Sequence, residues 1–214
     1  MGADEQTRAR IERLTSSVIT DAHDKRGMLA SAIQRVYGDG VIAGPAVTAA
    51  CAEGSVSAML RAIERAAPGD VVMIQGRGEW AYFGELAAAE AVRRGVVAVV
   101  VDGLTRDVSG LSGMGLSVFA HGTTPRGARP PGEGQIEVSL QVGETTVSPG
   151  DWIIGDDDGL VAVAASELAA VLDRAQKLDA TEAAILERVR GGASLFEQSI
   201  QPGETLGELM NRGA

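Results

Sequence analysis

Glu85, Arg106 and Asp107 are the residues whose types and spacing point to chemistry. Arg106 and Asp107 stand together, and twenty residues separate them from Glu85. A guanidinium attracts an anionic ligand, while carboxylates hold cations or exchange protons. One cleft that contained all three could therefore bind an anion next to acidic groups.

The elements around these residues predict that they meet. The pattern predicts a strand over 71–74, an alanine-rich helix over 84–94 with Gly95 after it, and a buried strand over 96–101. This is one βαβ unit, so its two strands should be parallel. Ligands bind at the carboxyl ends of such strands, where the free amides at the start of the helix also favour an anion.

A second interpretation of Arg106 and Asp107 stays open at this point. Most Arg-Asp dipeptides form solvated ion pairs in surface turns, and such pairs contribute little to stability. The sequence pattern alone does not separate a surface turn from a ligand site.

Glu182 lies on the apolar stripe of a long helix predicted over 166–190, with Ser166 as its N-cap. It is seven residues from both Ala175 and Val189. A carboxylate on a buried stripe needs a partner. Glu182 is therefore either a glutamate at the frayed edge of the stripe or a carboxylate delivered to a cleft or across a subunit interface.

Other motifs are interpreted as structural. Asp156-Asp157-Asp158-Gly159 fits a hairpin turn better than a calcium loop, since a strand pattern follows it. Gly76-Arg77-Gly78 does not continue into a dinucleotide-binding fingerprint, because residue 81 is alanine. His23 and His121 share no ligand spacing and are taken as structural or surface residues.

Composition limits the class of protein. The chain has 214 residues, 45% of them hydrophobic, and its apolar runs are shorter than the roughly 20 residues that cross a membrane. The single cysteine, Cys51, excludes an intrachain disulfide and is expected to be a small buried hydrophobe. A net charge of −10 disfavours nucleic acid and anionic lipid as partners. We expect one domain over 1–214 and, because the N-terminus lacks an apolar signal segment, a cytoplasmic location.

The remaining pattern predicts a mixed α/β domain with parallel and antiparallel strands. We expect a helix over 5–27 that Gly27 ends, a strand over 40–49 broken or bulged at Gly44-Pro45, and a helix over 56–66. Short strands are predicted over 116–120, 135–142 and 145–147, and a hairpin over 151–164.

The chain resembles the RraA-like family over roughly residues 15–192. Seven short blocks carry the resemblance, and they occur in the family's order. The blocks are Thr20-Asp21-Ala22, 43–48 (AGPAVT), 68–71 (PGDV), Gly84-Glu85-Leu86, 101–108 (VDGLTRDV), 118–120 (VFA) and Pro149-Gly150-Asp151.

The resemblance implies a class II pyruvate aldolase that cleaves a 4-hydroxy-2-keto acid through an enolate held by Mg²⁺ or Mn²⁺, with oxaloacetate decarboxylase side activity. It implies that Asp107 ligates the metal directly, that Glu85 acts through water, and that Arg106 contacts the enolate oxygen. Glu85 stands where the family usually has aspartate. Gly84 opens the helix, and the amides of Leu86 and Ala87 are implied to bind the pyruvyl carboxylate.

The same resemblance implies a single-domain three-layer β/β/α sandwich similar to swivelling phosphohistidine domains. It implies a homo-oligomer, a trimer or a hexamer, in which Glu182 of a neighbouring subunit reaches the metal through water.

Two rival functions remain. The family includes a non-catalytic regulator of ribonuclease E, which lacks the aspartate after the arginine and the long last helix. It has also carried a methyltransferase label, which no glycine-rich nucleotide loop supports here. The non-pyruvate half of the substrate is left open, although Arg77, Trp80 and Tyr82 could shape its site or serve only as packing and surface residues.

Overall fold

A computed structural model describes residues 3–130 and 132–198. The helices are α1 (Ala3–Ile11), α2 (Ser16–Ala22), α3 (Ser57–Arg65), α4 (Glu85–Arg93), α5 (Leu168–Arg190) and α6 (Leu195–Gln198). The strands are β1 (Gln34–Tyr37), β2 (Ile42–Cys51), β3 (Val71–Gln75), β4 (Ala81–Phe83), β5 (Ala98–Thr105), β6 (Ser117–Thr123), β7 (Gly134–Ile136), β8 (Leu140–Val142), β9 (Thr145–Val147), β10 (Trp152–Asp156) and β11 (Gly159–Val163).

A mixed sheet organises the fold. Seven strands run in the order β1-β6-β5-β3-β2-β10-β11, β4 adds to β5, and β7 adds to β2. The β2–β3, β3–β5, β4–β5 and β5–β6 pairs are parallel, and the other pairs in this sheet are antiparallel. The prediction of a mixed α/β fold is confirmed.

Both faces of the central strands are buried. Val72 and Val99 point into one apolar cluster together with residues of α3 and α4. Their neighbours Val71 and Val100 point into a second cluster on the opposite face. Burial on both faces explains why these strands are continuous apolar runs in the sequence.

The predicted helix over 5–27 is two helices. Thr15 interrupts it with an extended backbone, and its side chain accepts a hydrogen bond from the Val18 amide at the start of α2. The single-helix prediction was wrong because Thr15 fits the helical spacing and is also a strong N-cap.

The predicted break at Gly44-Pro45 was also wrong, since β2 runs through both residues. Pro45 lies opposite Trp152 in the antiparallel β2–β10 pair. The parallel pairing with β3 begins only at Ala46, so the missing proline N–H interrupts no bond to that strand. Gly44 is required for packing, because a Cβ atom there would lie 2.1 Å from the Gly69 carbonyl oxygen.

The predicted βαβ unit is confirmed, with one addition. Strands β3 and β5 are parallel, and α4 lies between them in the chain. The sequence analysis missed β4, which precedes α4 and pairs in parallel with the far end of β5. Strand β1 was missed as well. The hairpin around Asp156–Gly159 is confirmed as β10–β11, whereas the predicted strand over 135–142 is two strands, β7 and β8.

The chain divides into two compact units, the first ending at Ala175 and the second beginning at Gln176. The first contains all the strands. Helix α5 begins at Leu168, two residues after the predicted N-cap, and its buried residues are Leu168, Val171, Leu172 and Ala175. Among the described residues, no helix is long and apolar enough to span a membrane.

The apolar stripe of α5 is not buried in its second half. In the second unit, Leu186 is 48% exposed, and Glu182 is exposed as well. The interpretation of Glu182 as a residue on a buried stripe is therefore wrong within one chain. The remaining alternatives are a surface glutamate and a residue that acts at an interface.

Cys51 is buried as expected, at 6% exposure, and burial raises the pKa of its thiol. Because thiolate is the reactive form, Cys51 should react with a disulfide reagent only after local or global opening. We expect labelling of the native protein to be on the order of 100-fold slower than labelling in denaturant. Labelling at the denatured rate would contradict this packing, and Cys51→Ala gives the reagent background.

Candidate active site

The ends of β4 and β5 bring the predicted residues together. The Phe83 carbonyl, at the end of β4, accepts hydrogen bonds from the Thr105 hydroxyl and from the Arg106 amide, each 3.0 Å long. Because α4 begins two residues after Phe83, its first turn must lie beside Arg106 and Asp107.

Asp107 closes the junction, by which we mean the contact between the first turn of α4 and the Arg106-Asp107 segment. Its Oδ2 accepts the Glu85 amide at 3.3 Å. Gly84, the N-cap residue of α4, makes no side-chain cap bond, so Asp107 supplies the capping oxygen from another part of the chain. Caps of this kind stabilise a helix by about 1 kcal/mol.

The contact between the two segments is reciprocal. While Asp107 reaches the start of α4, the Glu85 carboxylate lies over Gly110 in a short 3₁₀ helix, Val108–Leu111. A Cβ atom on Gly110 would be 2.6 Å from the Glu85 Cδ and Oε2 atoms. The two carboxylates are thus held on either side of one junction.

Asp107 has a left-handed backbone, with φ of 60° and ψ of 35°. Such a conformation costs an L-residue other than glycine roughly 1 kcal/mol or more, and asparagine and aspartate tolerate it best. Asp24, Lys25 and Glu137 also have positive φ, so the conformation by itself does not distinguish a ligand site from a surface turn.

Arg106 makes the ion pair that the surface-turn interpretation expects. Its Nε lies 3.2 Å from Asp107 Oδ2, with the two side chains 42% and 39% exposed. An exposed pair of this kind contributes about 0–1 kcal/mol. Ion pairing therefore explains little of this arrangement, which depends more on the bond from the Glu85 amide to Asp107.

The first turn of α4 offers two further donors. The first intrahelical bond runs from the Ala88 amide to the Gly84 carbonyl, which leaves the amides of Leu86 and Ala87 without an intrahelical acceptor. Leu86 and Ala87 both line a cleft of about 200 Å³ that is mostly apolar and is bordered by Arg106. An anion at this helix start would meet both amides and the positive end of the helix dipole.

At this junction the first unit offers a metal ion two carboxylates, those of Glu85 and Asp107. Within the described residues, no group of three or more His, Cys, Asp or Glu side chains is placed to hold an ion. Glu85 and Asp107 supply oxygen donors of the kind that Mg²⁺ prefers, and Mg²⁺ usually keeps several waters. The donor set fits such an ion if water or a second chain completes the shell.

The predicted residues do not all fall in one place. Gly84, Glu85, Leu86, Ala87, Arg106 and Asp107 share the junction. Glu182 belongs to the second unit, so its role stays a prediction. A larger cleft of about 540 Å³, lined by Arg8, Tyr37 and Ser117 among others, contains none of the predicted residues.

The sequence analysis missed the glycines on which the charged side chains rest. Besides Gly110 under Glu85, Gly127 lies under Arg106: a Cβ atom there would be 2.3 Å from the Arg106 Nη1. Gly84, which the sequence analysis did name, lies under Asp107 in the same way, since a Cβ atom there would be 2.6 Å from Asp107 Oδ2. Gly110 lies only three residues after Asp107, so the sequence could have suggested it, but nothing in the sequence linked Gly127 to Arg106.

The residues suggested for the rest of the substrate separate into different roles. Tyr82 is fully buried, and its hydroxyl donates to the Arg77 carbonyl and accepts from the Gly54 amide, so it is a packing residue. Trp80 lies at a second cleft that Arg106 also borders.

The histidines lie outside the junction and make polar contacts of their own. His121 contacts Asp102 at 2.8 Å, and the buried His23 contacts the Arg26 carbonyl.

Comparison with known proteins gives consistent matches. The family model described as RraA-like, Aldolase/RraA, matches residues 16–162. A Halalkalibacterium halodurans protein named "Putative 4-hydroxy-4-methyl-2-oxoglutarate aldolase" is 32% identical over 195 residues, covering 88% of this chain and 93% of that protein. A protein of the same name from Albidiferax ferrireducens is 37% identical over 130 residues, covering 56% of this chain and 75% of that protein.

Solved structures agree on the fold. An uncharacterized protein from Pseudomonas syringae pv. tomato has a TM-score of 0.81 at 24% identity, with 91% of this chain and 92% of that chain covered. Streptomyces coelicolor RraAS2, described as an unusual member of the RNase ES inhibitor RraA protein family, has a TM-score of 0.73 at 25% identity, with 86% and 96% covered.

Gly127→Ala tests whether the position of Arg106 matters. The backbone of Gly127 is outside the left-handed region, so alanine adds a methyl group without backbone strain, and the flexible Arg106 side chain must move. We expect any turnover that depends on Arg106 to fall about 10- to 100-fold, because small misplacements of a reacting group slow catalysis by such factors. The free energy of unfolding, measured in urea, should change by less than about 1 kcal/mol.

The control for this variant is a double-mutant comparison. If Gly127→Ala acts through Arg106, it should add no further loss of turnover in an Arg106→Ala background. Additive losses would show that the methyl group acts elsewhere.

Proposed function

The chain belongs to the Aldolase/RraA family, and on that premise we propose that it is a divalent-metal-dependent lyase that cleaves a 4-hydroxy-2-keto acid to pyruvate, with oxaloacetate decarboxylation as a side activity. The observation that carries the proposal is the junction of α4 with Arg106 and Asp107. At this junction the free amides of the first turn of α4, a guanidinium and two carboxylates lie together, which supports the proposal.

Asp107 is assigned as the direct protein ligand of Mg²⁺ or Mn²⁺, and Glu85 as a ligand through water. The ion, when bound, would stabilise the negative charge that develops on the substrate's keto oxygen. The bond from the Glu85 amide and the ion pair with Arg106 orient the Asp107 carboxylate without an ion.

The other residues of the junction act on the substrate. The amides of Leu86 and Ala87 donate hydrogen bonds to its C1 carboxylate. Gly84 has no side chain and so leaves room for the substrate at the start of α4. Arg106 donates to the oxygen that becomes the enolate oxygen. When the C3–C4 bond breaks, its electron pair passes into the enolate and the 4-hydroxyl loses its proton, which we assign to Glu85 through a water molecule. Protonation of C3 then gives pyruvate.

A homo-oligomer, a trimer or hexamer, is part of the proposal. The exposed second half of the α5 stripe supports it, because Leu186 at 48% exposure would be covered by another subunit. In that assembly Glu182 would act through water on the neighbour's metal. We further propose a three-layer β/β/α arrangement similar to swivelling phosphohistidine domains, supported by apolar clusters on both sheet faces, and a cytoplasmic location.

The rival function is binding without chemistry, as in a regulator of ribonuclease E. The likeness to RraAS2 supports it. Asp107 beside Glu85 favours the enzyme, because two carboxylates at one junction supply the oxygen donors that a divalent ion prefers.

Pyruvate release tests the proposed function. A coupled lactate dehydrogenase assay over a panel of 4-hydroxy-2-keto acids and oxaloacetate, with Mg²⁺, Mn²⁺ and EDTA arms, should give turnover that EDTA abolishes. Asp107→Asn should reduce it at least about 100-fold, since the amide loses the charge that binds the ion. Asparagine also accepts the Glu85 amide and tolerates the left-handed backbone, so stability should hold.

The same assay can contradict the proposal. EDTA-resistant turnover, or near-normal activity of Asp107→Asn at limiting metal, would remove the assigned role of Asp107. No pyruvate from any substrate would favour the binding protein.

Glu182→Gln separates a surface glutamate from a residue shared between subunits. The change nearly preserves volume and removes the charge. On the shared-site assignment, metal affinity or turnover should fall about 10- to 100-fold with the oligomer retained. A surface glutamate would leave both unchanged.

Mixed oligomers complete this test. Asp107→Asn chains assembled with Glu182→Gln chains should regain partial activity, because some interfaces would combine a wild-type Asp107 with a wild-type Glu182. Demonstrably mixed but inactive oligomers would contradict the shared site.

A further inference from the structure

Strand β5 is irregular just before it reaches the junction. It advances three residues between its pairs with Ala120 and Gly122 of β6, which are two residues apart. Asp102 and Gly103 of β5 therefore lie opposite the single residue His121 of β6, which makes a β-bulge. A bulge bends its strand and increases the twist, so this one sets the direction in which the end of β5 continues.

The bulge coincides with a change of partner on the other side of β5. Pairing with β3 ends at Asp102, which lies opposite Gln75, and pairing with β4 begins at Leu104, which lies opposite Ala81. Gly103 between them has a φ of 153°, a value that L side chains rarely adopt. The register of the last part of β5 is therefore decided at Asp102 and Gly103.

The Asp102 carboxylate contacts both flanking strands at this point. Gln75 Nε2, on β3, donates to its Oδ2 at 3.1 Å, and His121 Nε2, on β6, lies 2.8 Å from its Oδ1. The same Gln75 nitrogen donates to the Gln141 carbonyl at 2.7 Å, so β8 holds this side chain as well. The Asp102 side chain is only 20% exposed, and its bonds are therefore stronger than they would be in open water.

The apolar cluster on this face of the sheet ends one row before the Asp102 contacts. Its last members on β3, β5 and β6 are Met73, Val100 and Phe119. Strand alternation puts the side chains two residues further along, those of Gln75, Asp102 and His121, on the same face. On this face, hydrogen bonds to Asp102 thus take the place of apolar packing as the contact between the three strands.

The register of β5 beyond the bulge decides whether the junction forms. The Thr105 hydroxyl and the Arg106 amide both donate to the Phe83 carbonyl of β4, and the Thr124 amide donates to the Thr105 carbonyl. If β5 took up its extra residue elsewhere, its end would slip by one residue and its side chains would change faces. Arg106 and Asp107 would then no longer lie at the start of α4.

We propose that Asp102, held by Gln75 and His121, is a positioning residue that locks the bulge of β5 and so fixes Arg106 and Asp107 at the start of α4. Arg106 is four residues further along the chain, which is about 13 Å on a strand, so Asp102 acts through the backbone and not on the substrate. Its effect on turnover rests on the proposed lyase function, whereas its effect on the position of Arg106 does not.

Amide hydrogen exchange, followed by NMR, tests the position without any assay of activity. The Arg106 amide is protected by its bond to Phe83, and the Met73 amide in the central strand β3 reports on opening of the whole fold. In Asp102→Ala we expect exchange at Arg106, measured relative to Met73, to be at least about 10-fold faster than in the wild type. Exchange that rises equally at both amides, or at neither, would overturn the proposal.

Two substitutions of His121 repeat the test in case Asp102→Ala does not fold. Glutamine can still donate a hydrogen bond to Asp102, whereas leucine cannot. His121→Gln should keep exchange at Arg106 within about threefold of the wild type, and His121→Leu should raise it at least about 10-fold. The same result for both variants would overturn the proposal. As a control, Arg65→Ala removes an ion pair with Glu137 and should leave the exchange at Arg106 relative to Met73 unchanged.

Turnover tests the consequence for the candidate site. In the pyruvate assay, kcat of Asp102→Ala and of His121→Leu should fall about 10- to 100-fold, while kcat of His121→Gln should stay within about threefold of the wild type. An active wild type whose turnover is unchanged in Asp102→Ala would overturn the proposal. A wild type that releases no pyruvate from any substrate would overturn the lyase function instead, and amide exchange alone would then decide the role of Asp102.

Discussion

The double hydrogen bond to the Phe83 carbonyl is the interaction on which the candidate site depends. It ties the end of β4 to the point where β5 passes into Arg106. Without it, the first turn of α4 and the Arg106-Asp107 pair would be two separate strand-end loops. With it, the two segments lie side by side although twenty residues separate them in the chain. Asp107 contacts the start of α4, and Glu85 contacts the 3₁₀ helix.

The predictable part of this architecture is the part set by long buried runs. The strands around 71–74 and 96–101 are apolar on both faces, so their burial and their parallel pairing follow from pattern alone. The missed strand β4 has three residues and no period to detect. Two predictions failed for opposite reasons. Thr15 fits the helical spacing, so its role as the N-cap of α2 was not recognised. Pro45 suggested a break in the strand, but the pairing of β2 with β3 begins only after it.

Contacts between segments distant in the chain were beyond sequence reasoning. Nothing local tells that the Arg106 side chain will lie over Gly127 or that Arg126 and Arg129 will border the same cleft as Arg106. Those relations arise because the loop after β6 bonds to β4, a strand that the pattern did not reveal. The prediction of a buried stripe on α5 was wrong for another reason, since periodicity reports an apolar face but not whether that face is covered.

The left-handed backbone of Asp107 also bears on how such a protein can change over time. Aspartate codons lie one base change from those of asparagine and glycine, the two other residues that accept this conformation at low cost. A single mutation can therefore remove the carboxylate and leave the turn intact. If the proposed catalysis depends on this carboxylate, one base change separates a catalyst from a protein that can only bind, and the fold need not change.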